Sequence, residues 1–405
     1  MSRLVFNPDD QVFSENPYPV LAELRSRWPV HYSPAVRGVV VTRYDLVQHV
    51  LREPSMSADR ITPFYRAQSE ENRRRVETLV RYLGLWLVFR DPPDHTRLRG
   101  LIARAFTPQA LAMVRPNIER IVDDLMSGLA DRQEVDLVSE FANLVPAYVI
   151  MDMLGVPRAM MADMKAWSDD VKLFIGTAPA SPDKYDRAHR GILGFADAFG
   201  KLIAEHRREP RQDVLSALIA ANEDGSGRLC DDELVATAIL FLFAGHETTA
   251  SLIAMGSMAM MDNPSEKQRL LAKPELVQSA VEECLRFDGP TPAMVRIATR
   301  DHTLHDYPVK EGDRVIAVLG AANRDPAVFK EPDRFDIGRS PNPHVTFGFG
   351  PHFCLGAPLA RLEAQIALPR LHSAFPKMSR QSDKVPWSSG LALRGPTSLP
   401  VRLRS

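Results

Sequence analysis

The chain has 405 residues, 45% hydrophobic and 25% charged, with a formal net charge of −1. These are the values of an ordinary globular protein and give no global pull toward nucleic acid, so any attraction to a partner must be local. Three cysteines (Cys230, Cys284, Cys354), odd in number, far apart and without Cys-x-x-Cys, argue against a disulfide framework and for a reducing, cytoplasmic setting. No run of about 20 uninterrupted apolar residues occurs, and the first residues lack an apolar stretch of signal-peptide length, so neither anchor nor leader is expected.

In chain order, a short helix is predicted around Pro19–Arg27 and a strand at Gly38–Thr42. From about residue 100 helical periodicity dominates, with amphipathic stretches at Arg115–Leu129 and Glu140–Leu154. Gly176–Pro182 is a breaker cluster, followed by a helix over Asp183–Arg208. The longest pattern is Cys230–Met261, capped by Asp231 or Asp232, ended by Asn263-Pro264 and roughly 45–50 Å long. It is apolar nearly all round after Leu234 and should be buried. Strands are predicted at Arg296–Thr299, Thr303–Val309 and Arg314–Val318, then a Pro-rich loop from Asn323 to Pro343. The expected fold class is mainly α with a small β portion. A single domain over 1–405 is expected, β-rich at about 16–60, 291–320 and 385–405, and α-rich at about 90–290 and 355–375.

Inside the long helix lies Ala244-Gly245-His246-Glu247-Thr248-Thr249. Gly costs about 1 kcal/mol against Ala there, a buried carboxylate is expensive unless paired, and Thr hydroxyls bond back to the preceding turn. Together they predict a local bulge with polar groups facing a cavity, or a plain helix kink with satisfied groups. No His-Glu-x-x-His pattern surrounds His246, which is given no metal role. Asp91–Arg99 opens another helix, where His95 and Arg99 share one face, as carboxylate donors or as solvated charge. Glu283 and Arg286 are one turn apart, a spacing worth about 0.2–0.5 kcal/mol on an exposed helix.

The most informative stretch is Phe347-Gly348-Phe349-Gly350-Pro351-His352-Phe353-Cys354-Leu355-Gly356. Glycines permit a backbone that aims N–H groups at one sulfur, and a helix N-terminus favours a thiolate. The bland reading is a structural cysteine after a turn. The sharper one is an axial ligand to haem iron.

The spacing Phe-x-x-Gly-x-x-x-Cys-x-Gly, carried by Phe347, Gly350, Cys354 and Gly356, resembles the haem-ligand loop of cytochromes P450 of the soluble bacterial type. Ala244–Thr248 resembles the family's oxygen-binding helix, and motifs follow in family order from Asn16-Pro17-Tyr18-Pro19 to Leu391–Leu399. The resemblance implies a P450 fold, with haem b between the long central helix and the loop of Cys354, the iron ligand. It implies cofactor contacts at Phe347, Gly356 and Ala244, and propionate donors at His95, Arg99, Arg296 and His352. Thr248 would hydrogen-bond dioxygen and Glu247 would relay protons. Glu283, Arg286 and, as third member, Arg334 would be structural. Ser57–Val88 resembles the variable loop over the haem. Candidate substrate walls are Trp86, Leu87, Phe174, Phe243, Ala244, Met294, Val295 and Leu391, with ordinary packing as the alternative for Trp86 and Leu87. Gly176–Pro182 would be the lid.

The implied activity is a monooxygenase inserting one atom of O2 into a hydrophobic small molecule, by hydroxylation or epoxidation. A ferredoxin and its reductase would supply electrons, docking on a basic face at Arg97, Arg104 and Arg361. A monomer without membrane anchor or nucleic-acid partner is expected. The rivals are a peroxide-driven peroxygenase and a haem-binding sensor or carrier. Glu247-Thr248 argues against both.

Overall fold

The computed structural model describes residues 5–175, 183–223, 229–388 and 390–404, with residues 104, 105, 108 and 221–223 by backbone alone. The expected lid segment Gly176–Pro182 and the side chain of Arg104 lie outside the described residues. The first stretch forms α1 (Gln11–Glu15), α2 (Tyr18–Arg27), β1 (Val30–Ser33), β2 (Gly38–Val41), α3 (Tyr44–Arg52), β3 (Met56–Ser57), α4 (Ile61–Arg66), α5 (Glu70–Gly84) and α6 (Asp94–Ile102). Then come α7 (Pro108–Leu129), β4 (Glu134–Asp136), α8 (Leu144–Met153), α9 (Met161–Ile175), α10 (Lys184–Arg208), α11 (Val214–Glu223) and α12 (Asp231–Asp262). The chain continues through α13 (Pro264–Ala272), α14 (Val277–Phe287), β5 (Met294–Ala298), β6 (His302–Leu304), β7 (Tyr307–Val309) and β8 (Arg314–Ala317). It ends with α15 (Leu319–Ala322), α16 (Ala357–Ala374), β9 (Ser379–Arg380) and β10 (Pro400–Arg402). The fold is mainly α with a small β portion, as expected.

Contacts divide the chain into two compact units. The first comprises Met1–Met56, Pro116–Pro146 and Glu247–Ser405. Its main sheet has the order β1-β2-β8-β5-β3. β2 runs parallel to β8, pairing Val39 with Val315 and Val41 with Ala317. All four residues of β2 are buried, as a strand covered on both faces requires. Alternation sends Val39, Val41, Val315 and Ala317 to one face, against Val47, Val50 and Leu51 of α3. Val40, Ile316 and Val295 go to the other, against Leu21 and Leu24 of α2, where Leu391 also packs.

The second unit, Ser57–Arg115 and Ala147–His246, is helical apart from its link to β3. α9 packs on α10, with Trp167 edge-on to Phe195, and α5 lies against α10.

Four local expectations are corrected. The stretch Glu140–Leu154 is not one α-helix: a π-turn at Val138–Ala142 precedes α8. Pro146 lacks the N–H that would bond Ala142, and in a continuous α-helix its ring would clash with that carbonyl. Thr303–Val309 is not one strand but the hairpin β6–β7, turning at His305, whose φ of +54° suits a two-residue turn. α12 starts as expected, but Glu233 at its third position does the capping by accepting from the Cys230 N–H at 2.9 Å. The expected bulge in α12 does not form; the helix is unbroken α over 32 residues. By length and composition α12 could cross a membrane, yet 72% of its most apolar window is buried within the protein.

Candidate active site

In the first unit, the cysteine loop hangs between two anchored ends. Upstream, the Val345 N–H donates to Asn323 Oδ1 at 2.8 Å, and Thr346 Oγ1 donates to the Leu285 carbonyl of α14 at 2.6 Å. Gly348 and Gly350 then take φ of +77° and +72°, the left-handed region that glycine enters without strain. A Cβ at Gly348 would stand 3.1 Å from Met294 Cε, so the thioether of Met294 packs directly on this turn. A 3-10 turn at Gly350–His352 brings the chain back, and the Cys354 N–H donates to the Phe347 carbonyl at 2.8 Å. Cys354 is half-buried and not disulfide-bonded, and α16 starts three residues later. Downstream, Arg361 of α16 lies over the Phe347 ring at 4.6 Å and forks onto Glu282 at 2.7 and 2.8 Å. Arg296 sits on β5, buried, with Nη1 donating to the Val295 carbonyl at 3.1 Å.

α12 carries the polar stretch. Residues 234–243 are buried, yet Ala244 is exposed, and Gly245, Glu247 and Thr248 are half-buried. Ala244 and Thr248 lie one turn apart, so one accessible face opens in an otherwise buried helix. His246 and Thr249 turn inward. A Cβ on Gly245 would stand 3.3 Å from Ile150, so the glycine serves a close approach to α8. Among the described residues, no cluster of His, Cys, Asp or Glu could hold a metal ion.

His95 is buried in the first turn of α6 and Arg99 is half-buried. Trp86 packs against Phe243 of α12 at 5.4 Å and stacks on Phe89 at 6.1 Å, while Leu87 is buried. Phe174, at the end of α9, meets Phe64 edge-on at 4.9 Å. Arg97, expected on a docking face, pairs with Glu233.

Glu283 and Arg286 are wholly buried and 2.7 Å apart. The third guanidinium is Arg339, 3.1 Å from Glu283, and not Arg334. Arg334 joins through its backbone carbonyl, which accepts from Arg286 at 3.1 Å, while its side chain pairs with exposed Glu331. Of the expected substrate-wall residues of the first unit, Met294 touches the cysteine loop, whereas Val295 and Leu391 belong to the core between the sheet and α2.

Within the first unit, the soft sulfur of Cys354 on an accessible loop, the Arg296 guanidinium and the His352 imidazole are a donor set that fits haem iron and its propionates.

The sequence matches the family described as Cytochrome P450 over residues 31–273 and 267–395. It is 34% identical to the polyketide biosynthesis cytochrome P450 PksS of Bacillus subtilis, with both chains covered in full. It is 37% identical to the vitamin D(3) 25-hydroxylase of Pseudonocardia autotrophica, over 96% of this chain and 94% of that one. Among solved structures it superposes at a TM-score of 0.90 on P450BioI in complex with a hexadec-9Z-enoic acid-ligated acyl carrier protein, at 32% identity over 97% of this chain and 100% of that one. The protein is an oxidoreductase with the P450 fold. The chain belongs to the cytochrome P450 family; its members are monooxygenases, and the family implies haem as cofactor.

Proposed function

We propose that this chain is a haem-b monooxygenase that hydroxylates or epoxidises a hydrophobic small molecule, with a ferredoxin-type protein as electron donor. The observation that carries the proposal is the Cys354 loop, with its two left-handed glycines and its amide held by the Phe347 carbonyl. Haem, when bound, would supply the oxygen activation, in a reaction that takes O2, two electrons and two protons and leaves one oxygen in the product and one in water. Cys354 would hold the iron through its thiolate sulfur, and the N-terminus of α16 favours that negative charge. Phe347 and Gly356 shape the loop around it. Arg296 and His352 would hold propionate oxygens by charge-assisted hydrogen bonds. His95 and Arg99 are assigned the same chemistry from their sequence motif.

On α12, Thr248 Oγ1 offers a hydrogen bond on the accessible face, and the Glu247 carboxyl feeds it protons. Ala244, small and exposed, leaves room there. Trp86, Leu87, Phe174, Phe243 and Met294 are assigned as apolar substrate contacts from their place in the sequence alone. The names of the relatives point to polyketide, secosteroid or fatty-acyl skeletons, all large and apolar. Three cysteines without a disulfide suit a cytoplasmic enzyme.

Cys354→Ala tests the reading. It should abolish the thiolate-type red shift of the ferrous–CO Soret band; survival of that shift would remove Cys354 as ligand. Product formation with peroxide but none with a ferredoxin and its reductase would move the reading to a peroxygenase.

A further inference from the structure

Sequence reasoning places Arg361 on a docking face for the electron donor. Its surroundings describe a different task. Glu282 of α14 receives both Nε and Nη2 of Arg361, the two-point fork that fixes a guanidinium plane. Glu282 Oε2 also lies 3.0 Å from His344 Nε2. His344 Nδ1 accepts from the Thr346 N–H at 3.3 Å, so it is Nε2 that carries the proton and donates to Glu282. Burial would raise the Glu282 carboxyl, but hydrogen bonds from Arg361 and His344 outweigh it and hold it down at about 2. The plane so fixed faces the Phe347 ring at 4.6 Å, within cation–π range. The same Phe347 gives its carbonyl to the Cys354 amide.

We propose that Arg361 is a positioning residue for Cys354: forked by Glu282, it clamps the Phe347 ring and so fixes the carbonyl that holds the cysteine backbone. The inference rests on the reading of Cys354 as the haem ligand. Two elements far apart in sequence, α14 and α16, thereby brace one residue of the loop. Lysine keeps the charge but lacks both the fork and the flat face, so charge and geometry can be separated by substitution.

The test uses haem-loaded protein: wild type, Arg361→Lys, Glu282→Gln and the double variant. Read-outs are haem content, the share of the ferrous–CO complex with the red-shifted Soret band, and the rate at which mild urea removes that band. Both single variants should keep haem and lose the band about three- to tenfold faster, from a lost clamp contact of ordinary strength. The double variant should be no worse than the poorer single one, because both act through one clamp. Glu282→Gln keeps Arg361 itself, so it carries the test if Arg361→Lys fails to fold. Wild-type band stability in both single variants overturns the proposal. A raised KM for ferredoxin that disappears at high salt, with band stability unchanged, overturns it in favour of a docking charge. Absence of the band in the wild type would overturn the haem–thiolate reading itself, and this inference with it.

Discussion

Two buried polar regions of the first unit solve the same problem in opposite ways. Around Arg286 every N–H of the guanidinium has an acceptor: Nε and Nη2 meet Glu283, Nη1 meets the carbonyls of Asn323 and Pro332, and Nη2 also meets that of Arg334. Glu283 is saturated in turn by Arg339, the Asp336 N–H and Asn342. Along α16, by contrast, Glu363 Oε2 and both ring nitrogens of His372 are buried with no partner. Lys267, whose charge acts on His372, reaches the carbonyl of Met378 at 3.4 Å. Burial therefore pushes the Glu363 carboxyl well above its usual range. Burial, helped by the Lys267 charge, pushes His372 down to about 3. One region keeps its charges by saturating them; in the other, Glu363 and His372 are driven toward their neutral forms because nothing saturates them.

The contrast can be broken at its strongest point by Arg286→Ala, which strands Glu283. Removing one partner of a buried pair costs about 3–5 kcal/mol. Urea unfolding should show such a loss, and a change under about 1 kcal/mol would mean that the cluster is not the saturated pair described.

Glu283→Gln and Glu363→Gln sharpen the difference, being the same substitution in the two regions. The first should cost about 3 kcal/mol, since it leaves Arg286 and Arg339 without a counter-charge. The second should change stability by less than about 1 kcal/mol, because it replaces a neutral carboxyl with a neutral amide. Equal costs would erase the distinction.

Acid provides a third probe. His372 has a folded pKa of about 3, below its ordinary 6.5. Between those pH values the unfolded chain binds the proton and the folded one does not. Stability therefore falls on acidification through that window, by up to about 1.4 kcal/mol per pH unit. His372→Leu should flatten the pH dependence of the unfolding midpoint between pH 6.5 and 3, and an unchanged slope would refute the assignment. The smallest effect belongs to Arg334→Ala. Its side chain forms an exposed pair with Glu331 and its carbonyl survives the substitution, so stability should move by less than about 0.5 kcal/mol.

Much of this was legible in the sequence, for definite reasons. α12 could be bounded because apolar residues run between acidic residues and Asn263-Pro264. The two-residue turn at His305 was missed because neither Gly nor Pro marks it. Arg334 is the sequence's candidate and Arg339 goes unnoticed there, because both lie in a loop without periodicity, where spacing does not say which side chain turns inward. Gly245 was read as a weak point of the helix, although its use is to admit Ile150, a contact between distant segments. Candidate site residues were found by motif, but the clamp of Glu282 and Arg361 on Phe347 has no sequence signal beyond three ordinary residues.

The parallel pairing of β2 with β8 has a consequence for biosynthesis. Val39 leaves the ribosome long before Val315, its partner, has been made. At ordinary elongation rates the delay is roughly 15–55 s. Through that interval the valine-rich hairpin of β1 and β2 presents a bare sheet edge, the kind of surface on which chains stick to one another. The first unit cannot close its sheet until the last quarter of the chain is translated. Its yield in a cell should therefore depend on what shields residues 38–41 during synthesis, and a chain stopped before Arg314 should aggregate through that edge.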